Sequence, residues 1–205
     1  VDVQRIGNGL WRWTGFHPEW RKDVGCVYLE ADDAVVLVDP LVPDDPDRFL
    51  EHLDRDVSRA GRPVHIALTI YWHARSATAL AERYGATVWA PARSVGPVRR
   101  RTGLEVAGIR SGDSMPGGLE PCDSGRSSEL VYYLPTHKAL VAGDVLLGGP
   151  LQICPRSWLG KGGREAVSAA LTPLLERPLE LVLVSHGDPV LDGARDQLAA
   201  ALQAV

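Results

Sequence analysis

Sulfur is scarce in this chain: 205 residues hold three cysteines and one methionine. Cys26, Cys122 and Cys154 are odd in number and widely spaced, and none belongs to a Cys-x-x-Cys pair. That excludes a disulfide framework and a zinc knuckle, and reduced thiols in a cytoplasmic protein are the expectation. No stretch reaches the roughly 20 apolar residues of a membrane-spanning helix. Val1-Asp2-Val3-Gln4-Arg5 has neither the basic start nor the apolar run of a signal peptide. Charge of one sign is not in excess either. A formal net charge of −4 gives no electrostatic basis for binding nucleic acid or an anionic membrane. The one basic run, Arg99-Arg100-Arg101, reads as a solvated face. Histidine is the scarcity with most consequence: there are six, and no two are neighbours.

What is present suits one globular domain spanning residues 1–205, with 45% hydrophobic and 23% charged residues. Residues 6–14 read as a hairpin turning at Gly7-Asn8-Gly9. Strands follow at 25–30 and 34–38. Val35-Val36-Leu37-Val38 is continuously apolar, as in a strand covered on both faces, and it ends at Asp39-Pro40. A helix begins at Asp45-Pro46, carries Phe49, Leu50, Leu53 and Val57 on one stripe, and stops at Gly61. Asp45 is its expected cap, and Ser76 that of a second helix ending at Gly85. Between them lies a strand at 65–70, and a short strand follows at 87–90. Residues 93–118 are irregular, with room for a short helix and an insertion. A hairpin spans 129–134 and 139–142, and a Gly/Pro-rich loop spans 148–163. Next come a helix bearing Ala166, Val167, Ala170, Leu171 and Leu174, a buried strand at 181–185, and a closing helix at 194–201 capped by Asp192. This is an α/β unit whose helices can cover both outer faces of its sheets.

Six segments carry a likeness to a known family: Val36-Leu37-Val38-Asp39-Pro40, Leu68-Thr69, Leu80-Ala81-Glu82-Arg83-Tyr84-Gly85, Leu130-Val131-Tyr132-Tyr133-Leu134-Pro135, Leu140-Val141-Ala142-Gly143-Asp144, and Val184-Ser185-His186-Gly187. Each alone is weak, but their order and spacing are specific. The chain resembles the metallo-β-lactamase superfamily over nearly its whole length. The resemblance implies an αβ/βα four-layer sandwich with its active site at one edge between two sheets. It also implies a His-x-His-x-Asp-His cluster at the strand-to-helix junction, holding divalent cations that lower the pKa of a coordinated water.

That cluster is not there. With Thr69 as the residue before it, Ile70 and Trp72 stand for the first two histidines, Ala74 for the aspartate and Arg75 for the third histidine. A further histidine is due near Gly125-Arg126-Ser127, and none occurs. Only Asp144 and His186 match family metal positions. The expectation is therefore a degenerate, metal-free centre with no cofactor, formed by Trp72, His73, Arg75, Asp144 and His186. Arg75 is expected to turn its guanidinium to Asp144 in place of the missing ion, with His186 bonding nearby. The alternative is one zinc, iron or manganese ion on Asp144, His186 and a third ligand, either His73 or a residue of Cys122-Asp123. His73 falls at a non-ligand register of the motif. His17, His52, His65 and His137 read as surface or structural residues.

Trp11, Trp13, Phe16 and Trp20 would border the mouth of the site and suit a small organic ligand. Three classes of function follow: a catalytically inactive relative that keeps a small-molecule pocket, a hydrolase or lyase with a single metal, and a protein–protein module. The sequence names no substrate and leaves self-association open.

Overall fold

The computed structural model describes residues 2–204. A seven-stranded sheet takes its strands in chain order. They are β1 (Val3–Gly7), β2 (Leu10–His17), β3 (Lys22–Glu30), β4 (Val35–Val38), β5 (Val64–Ala67), β6 (Thr87–Pro91) and β7 (Val106–Ile109). Its first four strands pair antiparallel and its last four parallel. The change occurs at β4, where hairpins give way to crossovers through α1 (Pro46–Ala60), α2 (Ala77–Tyr84) and α3 (Val95–Thr102).

The second sheet contains β8 (Glu120–Asp123), β9 (Leu130–Leu134), β10 (Ala139–Leu147), β11 (Gln152–Ile153) and β12 (Leu181–His186), with β12 parallel to β10. On its outer face lie α4 (Gly163–Leu171) and α5 (Ala194–Gln203).

Three apolar clusters make the layers. One fills the space between the first sheet and its helices, around Leu37, Ile66 and Leu80. Another lies between the second sheet and its helices, around Leu140, Val167 and Leu198. The third is sheet on sheet, with Val36, Val38 and Ala67 meeting Tyr132, Val141 and Leu183. Residues of β4 alternate between the first and third clusters, so this strand is buried on both faces, as its unbroken apolar run requires. Two hydrogen bonds stitch the sheets together at the third cluster. The Tyr132 hydroxyl donates to Leu68 O (2.8 Å), and Leu130 N–H donates to Thr69 O (3.0 Å). No helix among the described residues is long and apolar enough to cross a membrane.

Several local expectations need correction. Asp45 and Ser76 precede their helices without capping them by side chain. Ser76 Oγ instead accepts Val42 N–H (2.9 Å). The residue capping α5 is Gly193, not Asp192. The strand expected at 65–70 stops at Ala67, because Thr69 turns its N–H to the Asp39 carboxylate rather than to a ladder partner (2.8 Å). The Gly/Pro-rich loop holds the short strand β11, and β8 has no counterpart in the sequence reading.

Candidate metal centre

The site forms where the carboxyl ends of β4, β5 and β12 meet an irregularity in β10. Asp39, just past β4, adopts a left-handed backbone (φ 49°) and is buried. Its Oδ1 accepts Thr69 N–H, and its Oδ2 accepts both the Thr69 hydroxyl (2.5 Å) and the Nδ1–H of His73 (2.8 Å). After the extended Ile70 the chain makes a 3₁₀ turn, Tyr71–Ala74, which swings His73 into the interior.

This arrangement fixes the His73 tautomer. A carboxylate oxygen opposite Nδ1 places a proton there, and leaves Nε2 as the ring nitrogen that faces Asp144. That nitrogen lies 3.0 Å from Asp144 Oδ1, yet the approach is out of line for a hydrogen bond and Nε2 has no partner. The same Oδ1 is 3.1 Å from His186 Nε2, while Oδ2 accepts the Trp72 indole N–H (2.7 Å). His186 Nδ1 is also buried without a partner. Ligand atoms of His73, Asp144 and His186 all lie within 4.8 Å of one another.

The electrostatics follow from this packing. Burial opposes the charge on Asp144, but His73 and His186 outweigh it and hold the carboxyl below its usual range. Burial and the Arg75 charge oppose protonation of His73, while Asp39 and Asp144 overcome them and raise its pKa. Both shifts share one cause, the mutual stabilisation of a protonated His73 and an ionised Asp144. Beneath it, Glu129 Oε1 accepts the N–H groups of Asp144 (2.7 Å) and Val145 (3.0 Å). Burial and the nearby Asp144 charge push the Glu129 carboxyl up to about 7. Gly143 admits this arrangement, since a Cβ there would sit 2.3 Å from Thr69 Oγ1 and 2.8 Å from Glu129 Oε1.

No family model matches the sequence, and no curated protein matches it. Solved structures do match the fold. The DIM-1 metallo-β-lactamase superposes with a TM-score of 0.76 at 11% identity, over 99% of this chain and 97% of that one. The metallo-β-lactamase from Pontibacter korlensis gives 0.72 at 18% identity, over 98% of each chain. That from Erythrobacter litoralis gives 0.73 at 14% identity, over 99% and 96%. This chain has the metallo-β-lactamase fold.

Within that fold the expected site residues separate into two groups. Trp72, His73, Asp144 and His186 come together. Arg75 does not join them: it donates to Asp39 O (3.0 Å) and Ser185 Oγ (2.8 Å), and the expected bond to Asp144 is not made. The cause is local. Arg75 carries φ 27° and ψ −106°, a conformation rare for a side chain of its size, which turns it to β12, and the Asp144 oxygens already face Trp72, His73 and His186.

Ile70 and Ala74 are buried and offer no ligand. Cys122 Sγ bonds to Glu120 O, Asp123 accepts Gly125 N–H, and neither reaches the cluster. Where the further histidine was due, Arg126 stacks on the Trp72 ring (4.6 Å) and faces Glu129 (3.4 Å).

Trp11 and Trp13 belong to the opposite face of the first sheet, where Trp11, Trp13, Tyr28 and Phe49 line a cavity of about 430 Å³ away from the cluster. Phe16, near the end of β2, and Trp20, in the turn between β2 and β3, are each 42% exposed. His65 accepts Trp89 N–H and His137 bonds to Asn8 O, both structural roles.

The donor set fits a single divalent cation. Two imidazoles and one carboxylate are a known combination for zinc, iron and manganese. The Asp39–His73 pair is the outer carboxylate–histidine arrangement that fixes a ligating ring. The buried, unpartnered Nε2 facing Asp144 is the atom His73 would offer to such an ion.

Proposed function

We propose that this protein is a hydrolase-like member of its fold whose centre is reduced to one cation site made of His73, Asp144 and His186. One observation carries the reading: His73 Nε2 is buried, has no hydrogen-bond partner, and lies 3.0 Å from a carboxylate oxygen of Asp144. A buried nitrogen and a carboxylate oxygen held that close without a hydrogen bond are satisfied by a positive charge between them, which a bound cation would supply.

A divalent cation supplies Lewis acidity and makes a water molecule more acidic, the basis of ester, lactone or amide hydrolysis. The chain's own residues do the rest. Asp39 fixes the His73 tautomer and keeps Nδ1 engaged. The Trp72 N–H orients the Asp144 carboxylate, leaving Oδ1 to the histidines. The Glu129 carboxylate anchors the main chain at Asp144 and Val145.

The test is elemental analysis of purified protein, followed by chelation and thermal denaturation with added zinc, iron(II) or manganese. Near-stoichiometric metal is expected, together with a rise in Tm on adding it back, lost in His73→Ala. Absence of bound metal, with no Tm response to any of the three ions, overturns the reading.

A metal-free centre is the second reading, favoured by the raised pKa of His73: an imidazolium would then supply the positive charge itself. That outcome would make the protein a non-hydrolytic relative that keeps the scaffold.

A further inference from the structure

We infer that Arg12 is a positioning residue for His186, one of two guanidinium groups, Arg12 buried and Arg75 half-buried, that hold the Ser185-His186 segment beside a lapse in main-chain pairing. Its geometry stands independently of the cation reading, whereas its consequence for metal affinity rests on that reading.

The lapse is visible in the pairing of β10 with β12. Partners run from Ala139↔Leu181 through Ala142↔Val184 and then resume at Leu147↔His186. Residues 143–146 of β10 thus stand opposite Ser185 alone, and Asp144 lies in this bulge. Asp144 sits where the ladder does not fix one strand against the other, and His186 is the residue at which pairing resumes after the irregularity.

Side chains take over that task. Arg12 Nη2 donates to Gly187 O (2.9 Å) and Val184 O (3.4 Å), bracketing Ser185 and His186. Arg75 Nη2 donates to Ser185 Oγ between those two carbonyls. Gly148 N–H donates to His186 O (2.9 Å).

Arg12 is only 8% exposed, and its Nε is buried without a partner. A buried cation bonded to carbonyls, with one N–H unmet, is a poor way to fill a core. The neighbouring strand makes room for it. A Cβ at Gly25 would lie 2.6 Å from Arg12 Nη2 and 2.5 Å from Val184 O, so only glycine at that position lets the guanidinium reach β12. An apolar residue at position 12 would fill the layer without this accommodation. What the guanidinium adds is a grip on the two carbonyls either side of the Ser185-His186 pair.

The experiment compares wild type, Arg12→Met and Arg12→Lys by Co²⁺ titration of metal-free protein and by hydrogen exchange at the Gly148 amide. For Arg12→Met, Co²⁺ affinity is expected to fall by about 10–100-fold, as for other outer supports of metal ligands. Its visible Co²⁺ band should also move. Gly148, whose N–H reports on the His186 carbonyl, should exchange at least about tenfold faster, while amides of β5 keep their protection. Arg12→Lys, able to reach one carbonyl but not bridge both, should fall between. If Arg12→Met does not fold, Arg12→Lys carries the same comparison.

Unchanged Co²⁺ affinity together with unchanged Gly148 protection shows a core filler and overturns the inference. If wild type takes up no Co²⁺, the cation reading fails by itself. Gly148 exchange then decides on Arg12 alone, with faster exchange supporting the clamp and wild-type protection overturning it.

Discussion

Replacing Asp39 by asparagine tests the foundation of the site with the smallest change in shape. Asp39 accepts three hydrogen bonds: Thr69 N–H on one oxygen, and the Thr69 hydroxyl and His73 Nδ1–H on the other. Asparagine keeps one carbonyl oxygen and presents an NH2 group to the two remaining donors. A hydrogen bond to a charged group contributes about 1.5–3 kcal/mol, so losing two removes about 3–6 kcal/mol. Rotation of the Thr69 hydroxyl to accept from the new amide returns about 1 kcal/mol. The expected net loss is therefore about 2–5 kcal/mol. In urea, with m of about 2 kcal/mol/M, this lowers the midpoint by about 1–2.5 M at unchanged slope. His73 can relieve the strain by moving its proton to Nε2, toward Asp144. That relief removes the lone pair, so Zn²⁺ affinity should fall about 10–100-fold even in a variant with a modest stability loss. A midpoint shift below about 0.3 M with unchanged Zn²⁺ affinity refutes the argument.

Arg75→Met loses two donated bonds at a half-buried position and should destabilise by about 2–4 kcal/mol in the same urea assay. Adding Asp144→Leu should not restore that loss, because the two side chains are not paired; a recovery of about 2 kcal/mol in the double-mutant cycle would show that they are. Burial pushes the Cys26 thiol up to about 11 and the Cys154 thiol up to about 12, and raises that of Cys122 as well. At pH 8 a colorimetric thiol reagent should leave Cys26 and Cys154 untouched in the native protein and label all three cysteines in denaturant; native labelling of Cys26 at the denatured rate contradicts this.

The elements most legible in the sequence are those whose pattern has one physical reading. Val35–Val38 is apolar on every residue and becomes the strand shared by two core clusters. Pro46 to Gly61 bounds a helix with an apolar stripe, and the structure keeps both limits. The β8 segment Glu-Pro-Cys-Asp reads as no strand because of its proline, which an edge strand tolerates. Asp45 and Ser76 fail as caps because cap chemistry in sequence says nothing of competing partners.

At the site, the register of the lost motif places His73 between ligand positions. Spacing alone does not give side-chain direction, and the 3₁₀ turn at residues 71–74 carries the buried ring inward. Asp39 carries a weak signal, an acid closing an apolar strand ahead of proline, though its partners 30 and 34 residues away are beyond local reading. Arg12 and Glu129 give no local signal; the surroundings that define them come from other strands.

The bonds from Tyr132 and Leu130 to the main chain at Leu68 and Thr69 have a consequence for how the molecule could be taken apart. Each sheet has its own helices on the outside, but the inner face of either is covered only by the other. A chain opened in the exposed turn after Arg110 would yield two fragments, each a finished outer layer with a bare inner one. Neither has reason to hold a native shape alone. Mixed, they would reconstitute by fragment complementation along this seam, and the cluster would reappear only in the reassembled pair, with His73 arriving on one piece and Asp144 and His186 on the other.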